Sequence, residues 1–242
     1  MSWPDAVANL RLDQAWGSAQ IMGALHYVEA LTPAAAPLHT GSTDEIGWAI
    51  GAGIHLNLPF LGARDSFTAQ VTYAEGAMHY VGSGIGAAGV VMSQGFPVVS
   101  SLAQTPAFDA VLTAPGSLDL TRGWSFAAGI QHYWTPTLRT SLYGFYGEFD
   151  YSASASAAIP VAACATFDCD WSMWQIGSRT VWNPVTNLDL SVDILYNSVD
   201  GVSAPAGGLL AGGGVVGGSA GITDTKIGWL QGMVRAQRNF YP

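Results

Sequence analysis

The fold class this sequence predicts is an all-β, antiparallel barrel that crosses a membrane with strands, and three observations predict it. In residues 226–242, Leu230, Gly232, Val234, Ala236 and Phe240 share one parity while Gln231, Met233, Arg235, Gln237 and Asn239 share the other. Side chains alternate between the faces of a strand, so one face of this segment is apolar and the other wet. Only 10% of residues are charged, against about 25% in ordinary soluble domains, which is too few for a soluble surface. Aromatic residues also recur at strand ends, the arrangement of barrels in outer membranes.

The elements follow from period-2 segments bounded by turn residues, nine in all. The first, Asp5 to Trp16, places Ala6, Ala8, Leu10 and Leu12 opposite Asn9, Arg11 and Asp13; Gly17-Ser18 turns it into Ala19 to Glu29. The third is the most regular, with Ile46, Trp48, Ile50, Ile54 and Leu56 against Gly47, Gly51, Gly53, His55 and Asn57. A fourth covers Phe67 to Tyr73, followed by a long Gly/Ala/Ser/Pro-rich stretch from Gly76 to Arg122. Trp124 to Trp134 turns at Thr135-Pro136-Thr137 into Leu138 to Tyr151, whose faces mix Leu, Tyr, Phe, Arg and Ser and leave its parity unassigned. Trp171 to Trp182 turns through 183–187 into an eighth strand, where Leu188, Leu190, Val192, Ile194 and Tyr196 oppose Asp189, Ser191, Asp193 and Asn197. The ninth is the closing segment.

Connections alternate between short (Gly17, Pro59, Thr135, Asn183) and long (after Glu29, Gly76, Tyr151 and Asp200). In outer-membrane barrels the short turns are periplasmic and the long loops extracellular. Trp16, Trp134, Trp182 and Phe240, with Phe60 near them, then fall at the short-turn level as an aromatic girdle. Segments of this length match the roughly 9 to 11 tilted residues that cross the hydrocarbon.

At 242 residues the chain reads as one domain, residues 1–242. No run of about 18 apolar residues occurs, which excludes helical spans. A net charge of −9 argues against nucleic acid, which demands clustered Lys and Arg. The start, Met-Ser-Trp-Pro, lacks the charged and apolar regions of a secretory signal. Cys164 and Cys169, in CATFDC, fit a small loop disulfide in an exported protein. Backbone groups unpaired in lipid cost several kcal/mol each, so a spanning sheet must close. Nine antiparallel strands leave the first and last running the same way, whereas bacterial single-chain barrels have even counts. The chain is therefore expected to be the C-terminal portion of a larger barrel, the alternative being a tenth strand hidden at 89–93 or 96–101.

Several stretches carry a family resemblance: WPDAVANLRLDQAWGSAQIMGALH, GWAIGAGIHLNLPFLG, FTAQVTYAEGAMHYVG, VWNPVTNLDLSVDILY and GMVRAQRNFYP. They resemble the general porins of alphaproteobacteria, in particular the rhizobial type, over nearly the whole chain. The resemblance implies a sixteen-stranded or similar barrel, usually a homotrimer, in outer-membrane lipid of the bacterial cell, passing small hydrophilic solutes and ions passively. It implies too that the constriction loop belongs to strands outside this sequence. The closing aromatic read by the outer-membrane assembly machinery corresponds to Phe240 or Tyr241, followed here by Pro242.

On this reading the candidate pore-lining residues are Asn9, Arg11, Asp13, His55, Arg139, Arg179, Asp189, Asp193, Gln231, Arg235 and Gln237. Rings of charge along a pore set ion preference, and inward Arg and Asp can equally pair across neighbouring strands. Arg238 shares the parity of Phe240 and faces outward, tolerable only at the rim. No bond chemistry, cofactor or metal site is expected. Gly84 to Gly89 matches GxGxxG but no buried strand leads into it. His26, His55 and His132 lack ligand-spaced partners, and no GxSxG or HExxH occurs. The rival readings are a substrate-specific outer-membrane channel and a soluble β-barrel or β-sandwich that binds a ligand. The last would bury the aliphatics and expose Arg, Asp, Asn and Gln.

Overall fold

The computed structural model describes residues 3–31, 42–82, 108–113, 117–158, 169–204 and 222–238. Four strands come first: β1 (Ala6–Gln14), β2 (Gly17–Leu31), β3 (Ser42–Asn57) and β4 (Ser66–Glu75). The connection that follows holds a short helix, α1 (Met78–Val81), and a hairpin of β5 (Ala110–Thr113) and β6 (Ser117–Leu120). Strands β7 (Arg122–Thr135) and β8 (Leu138–Asp150) precede helix α2 (Ala153–Ala158), and β9 (Trp171–Val185), β10 (Leu188–Ala204) and β11 (Ile222–Arg238) complete the chain.

All nine long strands form one antiparallel meander in the order β1-β2-β3-β4-β7-β8-β9-β10-β11. They are the nine segments the alternation picks out, with ends shifted by a few residues. Strands β5 and β6 form a separate two-stranded sheet. Among the described residues β1 and β11 each pair on one side only, so the sheet is open rather than a closed barrel. The proposed extra strands at 89–93 and 96–101 lie outside the described residues, as do Cys164, Phe240 and the glycine motif at 84–89.

Local chemistry accounts for the tight connections. The bend between β9 and β10 is the pair 186–187, where Asn187 adopts φ 67°, a left-handed conformation that Asn tolerates better than most residues. Pro136, with its φ preset for a turn, and Thr137 join β7 to β8. These bends and the connections at 15–16 and 58–65 lie at one end of the sheet. The strand ends that flank the longer connections, at Leu31 and Ser42, Glu75 and Arg122, Asp150 and Trp171, and Ala204 and Ile222, lie at the other.

Register settles the face that composition leaves open in β8. Phe126 pairs with Tyr146, and Leu142 lies opposite both Ile130 and Ser178. The even positions of β8 therefore share a face with the aliphatics of β7, and Arg139, Tyr143 and Phe149 share the other.

Candidate functional site: the covered face of the sheet

The two faces of the sheet differ in what lies on them. One is bare and apolar: Leu10 is 69% exposed and Val234 82%, and Ile21, Ile50, Val71, Leu142, Ile176, Val192 and Ile194 are exposed with them. A soluble barrel or sandwich would bury these side chains, so the exposed apolar face removes that alternative. At its short-turn edge stand Trp16, Trp134, Trp182 and Phe60, all exposed.

A second aromatic row crosses the bare face nearer the long loops, and sequence reading assigned it no level. It consists of three cross-strand pairs, Trp48–Tyr73, Trp124–Tyr146 and Trp174–Tyr196, with ring centroids 5.4, 5.2 and 5.3 Å apart. The indole of Trp124 donates to Glu148 Oε2 at 3.1 Å, its polar tip engaged while the ring stays on the apolar surface. The rows are ten residues apart on β7, from Trp124 to Trp134. At ~3.4 Å per residue and a tilt near 45°, that spans roughly 24 Å, the height of the apolar band on an outer-membrane barrel. The signal was available in the sequence as aromatics on the apolar parity 8 to 12 residues from the short-turn tryptophans; only cross-strand register aligns them.

Strand register places all eleven predicted lining residues on the opposite, covered face: Asp13 lies beside Ser18 and His55, and Arg139 leads through Val181 and Ser191 to Arg235. Asn9 and Arg11 lie opposite Met22 and Gln20, Asp189 opposite Gln237, and Asp193 between Arg179 and Met233. This face is wet toward the short turns. His55 Nδ1 lies 2.9 Å from Thr68 Oγ1. Gln175 donates to Asn197 at 2.5 Å and Asn197 to Gln231 at 3.1 Å, an amide ladder across β9, β10 and β11. Tyr143 donates to Asp193, whose other oxygen is 3.3 Å from Arg179 Nε. Arg11 and Asp13 pair with each other along β1 at 2.8 Å, rather than across neighbouring strands as the alternative reading allowed. Such exposed pairs are screened by water and add little to stability.

Toward the long loops the same face is dry, contrary to the expectation of a uniformly wet inner wall. Ala24, Ala49, Ala74, Phe149, Trp171, Met173 and Val199 of the sheet form one cluster with Ala77, Met78 and Val81 around α1 and Val111 of β5. Phe149 and Trp171 stack with centroids 4.2 Å apart. The described parts of this connection, 76–82 and 108–113, thus pack against the sheet, although sequence reading placed an inward-folded segment only in strands outside this chain. A glycine pair permits the fold-in. Gly76 adopts φ 68° with its own Cβ position hemmed by Gly47 Cα at 3.0 Å, and a Cβ on Gly47 would lie 2.0 Å from the Gly76 carbonyl oxygen. Neither the left-handed turn nor the contact tolerates a side chain.

Polar contacts fasten this segment. Arg122 and Glu75 pair at 3.0 Å across its two ends. Asp109 accepts from the Met78 N–H at 2.6 Å and its other oxygen lies 3.6 Å from His26 Nε2. Asp5 receives the Tyr80 hydroxyl at 2.6 Å and lies 2.7 Å from His26 Nδ1. The Tyr80 hydrogen bond, then that of His26, holds the Asp5 carboxyl below its ordinary range, and the same bond pushes the Tyr80 phenol up to about 12.

Charge is unevenly spread between the ends. Of eight Lys and Arg residues, Arg11, Arg64, Arg139, Arg179, Arg235 and Arg238 lie in the short-turn half, where Asp13, Asp65, Asp189 and Asp193 are the described acids. Arg238, opposite Leu188, is on the bare face at the end of β11, as its parity predicted. Cys169 is buried and disulfide-bonded. Among the described residues no group of three His, Cys, Asp or Glu side chains is placed to hold a metal ion, and no helix is long and apolar enough to cross a membrane.

Comparison with known proteins gives a consistent picture. A family model described as Porin subfamily matches residues 1–215. No curated protein matches the chain. Among solved structures, the outer membrane channel DcaP of Acinetobacter baumannii superposes with a TM-score of 0.52 at 14% sequence identity, covering 96% of this chain and 51% of that one. The likeness is one of fold, and this chain spans about half the length of that channel.

Proposed function

This chain belongs to the porin subfamily, a family of the bacterial outer membrane, and on that premise we propose that it forms part of the wall of a passive, water-filled channel for small hydrophilic solutes and ions. The observation that carries the reading is the division of the sheet into a bare apolar face with two aromatic rows and a covered face bearing Arg11, Asp13, Arg139, Arg179, Asp189, Asp193 and Arg235. In a membrane the first meets hydrocarbon and the second water.

A channel of this kind needs no bond chemistry; its wall supplies a hydrated surface and an electric field. Asn9, Arg11, Asp13, His55, Gln231 and Gln237 would supply hydrogen-bonding groups and charge along the lumen, and Arg139, Arg179, Asp189, Asp193 and Arg235 would tune ion preference. Helix α1 and strand β5, packed on the covered face, would narrow the passage near the long-loop end. Trp16, Trp134, Trp182 and Phe240 would anchor the periplasmic interface. Cys164 and Cys169 would close a loop disulfide, a pairing supported by the bonded state of Cys169 in a chain with two cysteines.

Closing the sheet requires additional strands. Because β1 and β11 run in the same direction, a fully antiparallel barrel closes over them only with an odd number of further strands. A homotrimer in outer-membrane lipid, built by the outer-membrane assembly machinery, is the assembly that the family resemblance implies.

Planar-bilayer recording tests the proposal. Stepwise, weakly selective conductance from the full-length protein, with the strands that close its sheet, is the expected result. Electrical silence from membrane-inserted, heat-modifiable protein would overturn it.

A further inference from the structure

We propose that Arg139, Arg179 and Arg235 form a binding pocket for small oxyanions, the carboxylate or phosphate groups of permeating solutes, on the covered face near the short-turn end. The inference rests on the channel reading above and names a solute class for it.

The pocket is built by register. Arg139, Val181, Ser191 and Arg235 occupy one row across β8, β9, β10 and β11. The two middle side chains are short and buried, so they make a floor, while a guanidinium rises from each side. Arg179, one row further along β9, completes a cavity of about 180 Å³. At about 30 Å³ of liquid volume per water, that is room for a hydrated carboxylate or a phosphate.

Charge then decides what enters. In a chain with 17 acidic and eight basic residues, three arginines line one small cavity, with Asp189 as the lining carboxylate. The nearby acids are already engaged. Asp193 is held by the Tyr143 hydroxyl and Arg179, and Asp189 accepts from Asn183 and stands 3.9 Å from Arg139. Arg139 donates to Asn183 Oδ1 at 2.9 Å, which fixes its fork at the rim. Arg235 is exposed and forms no ion pair with any described residue. Its planar fork is free to take an oxyanion through two parallel N–H donors, a geometry that spherical chloride cannot use as well. Three guanidiniums bring up to five donors each to a pocket whose lining acceptors are Asp189, Ser191 and Gln237, so donors outnumber acceptors and an oxyanion supplies oxygen atoms for them.

The test uses R235Q, since a side chain with no ionic partner leaves no carboxylate orphaned when neutralised, and R235K as the charge-conserving control. Wild type and both variants are first shown to keep heat-modifiable gel migration. Inorganic phosphate, and separately acetate, are titrated into chloride-conducting bilayers, and phosphate binding to the detergent-solubilised protein is measured by calorimetry. The expected result is a millimolar partial block by phosphate, with the midpoint raised about fivefold or more in R235Q and less in R235K. Acetate acting with phosphate assigns the pocket to oxyanions generally; phosphate acting alone assigns it to phosphate groups. Equal block and equal binding in wild type and R235Q, or neither anion acting, would overturn the pocket. Calorimetric binding that R235Q abolishes, in a protein that conducts no current, would keep the pocket and overturn the channel reading instead.

Discussion

Gly76 shows how one position decides where the chain goes as it leaves β4. Its positive φ and its contact with Gly47 turn the chain from β4 down onto the sheet. Gly76→Ala forces an L side chain into the left-handed region, at about 1–2 kcal/mol, and against the Leu120 side chain. The expected outcome is a lower thermal midpoint for heat-modifiable migration and a 76–121 segment more open to protease; an unchanged midpoint and cleavage pattern would count against the fold-in. Nothing in the sequence marked this glycine out from the others, because its constraint comes from a strand thirty residues away.

Asp65 is a second such residue. It sits in the short connection before β4, buried, accepting from the Tyr133 N–H at 2.9 Å and lying 2.5 Å from His132 Nδ1. The Tyr133 hydrogen bond, then that of His132, holds its carboxyl below the ordinary range. A depressed folded-state value stabilises the fold at pH above the ordinary carboxylate range of about 4, and that contribution is lost as pH falls through the folded value. Wild type should therefore exceed Asp65→Asn in thermal midpoint near neutrality and converge on it below about pH 4. Parallel melting curves across that range would refute the role. The sequence reading passed over Asp65 altogether, since its partners come from β7.

At the scale of elements, strands were legible wherever one face stayed uniformly apolar, as in β3 and β10. Their faces, including every lining candidate, follow from alternation and are reproduced by register. Strand β8 resisted because Tyr143, Phe145 and Phe149 put aromatics on the covered face, where Phe149 joins the cluster around α1 and Tyr143 bonds to Asp193. The hairpin of β5 and β6 escaped because four-residue strands carry too little periodicity to separate from loop. A pair of substitutions on neighbouring rungs tests the facing directly. Val192, paired with Val234, lies on the bare face between the two aromatic rows, and Met233, paired with Asp193, lies on the other. Val192→Arg should destabilise the inserted protein by about 2–4 kcal/mol, as a cation near the midplane does. Met233→Arg should be nearly neutral beside Asp193. Urea unfolding from lipid vesicles measures both, and equal losses would contradict the assignment.

For the molecule as a whole, the nine long strands form an open sheet among the described residues, and the chain spans about half the length of the outer-membrane channel on which it superposes. The bare face and its two aromatic rows set the height of the hydrocarbon. On the proposed channel reading, the apolar cluster of the long-loop half and the arginines of the short-turn half of the covered face would give the lumen a direction. Composition could reveal the shortage of charge but not this polarity, since it depends on which strand end each residue occupies. The most direct measurement of the central claim is depth-sensitive accessibility of nitroxide labels at Val192, Asp193, Val234 and Arg235, in a background with both cysteines replaced. The account predicts that labels at Val192 and Val234 collide with oxygen dissolved in the bilayer, and labels at Asp193 and Arg235 with a water-soluble nickel complex. The reverse pattern, or uniform exposure to the nickel complex, would contradict it.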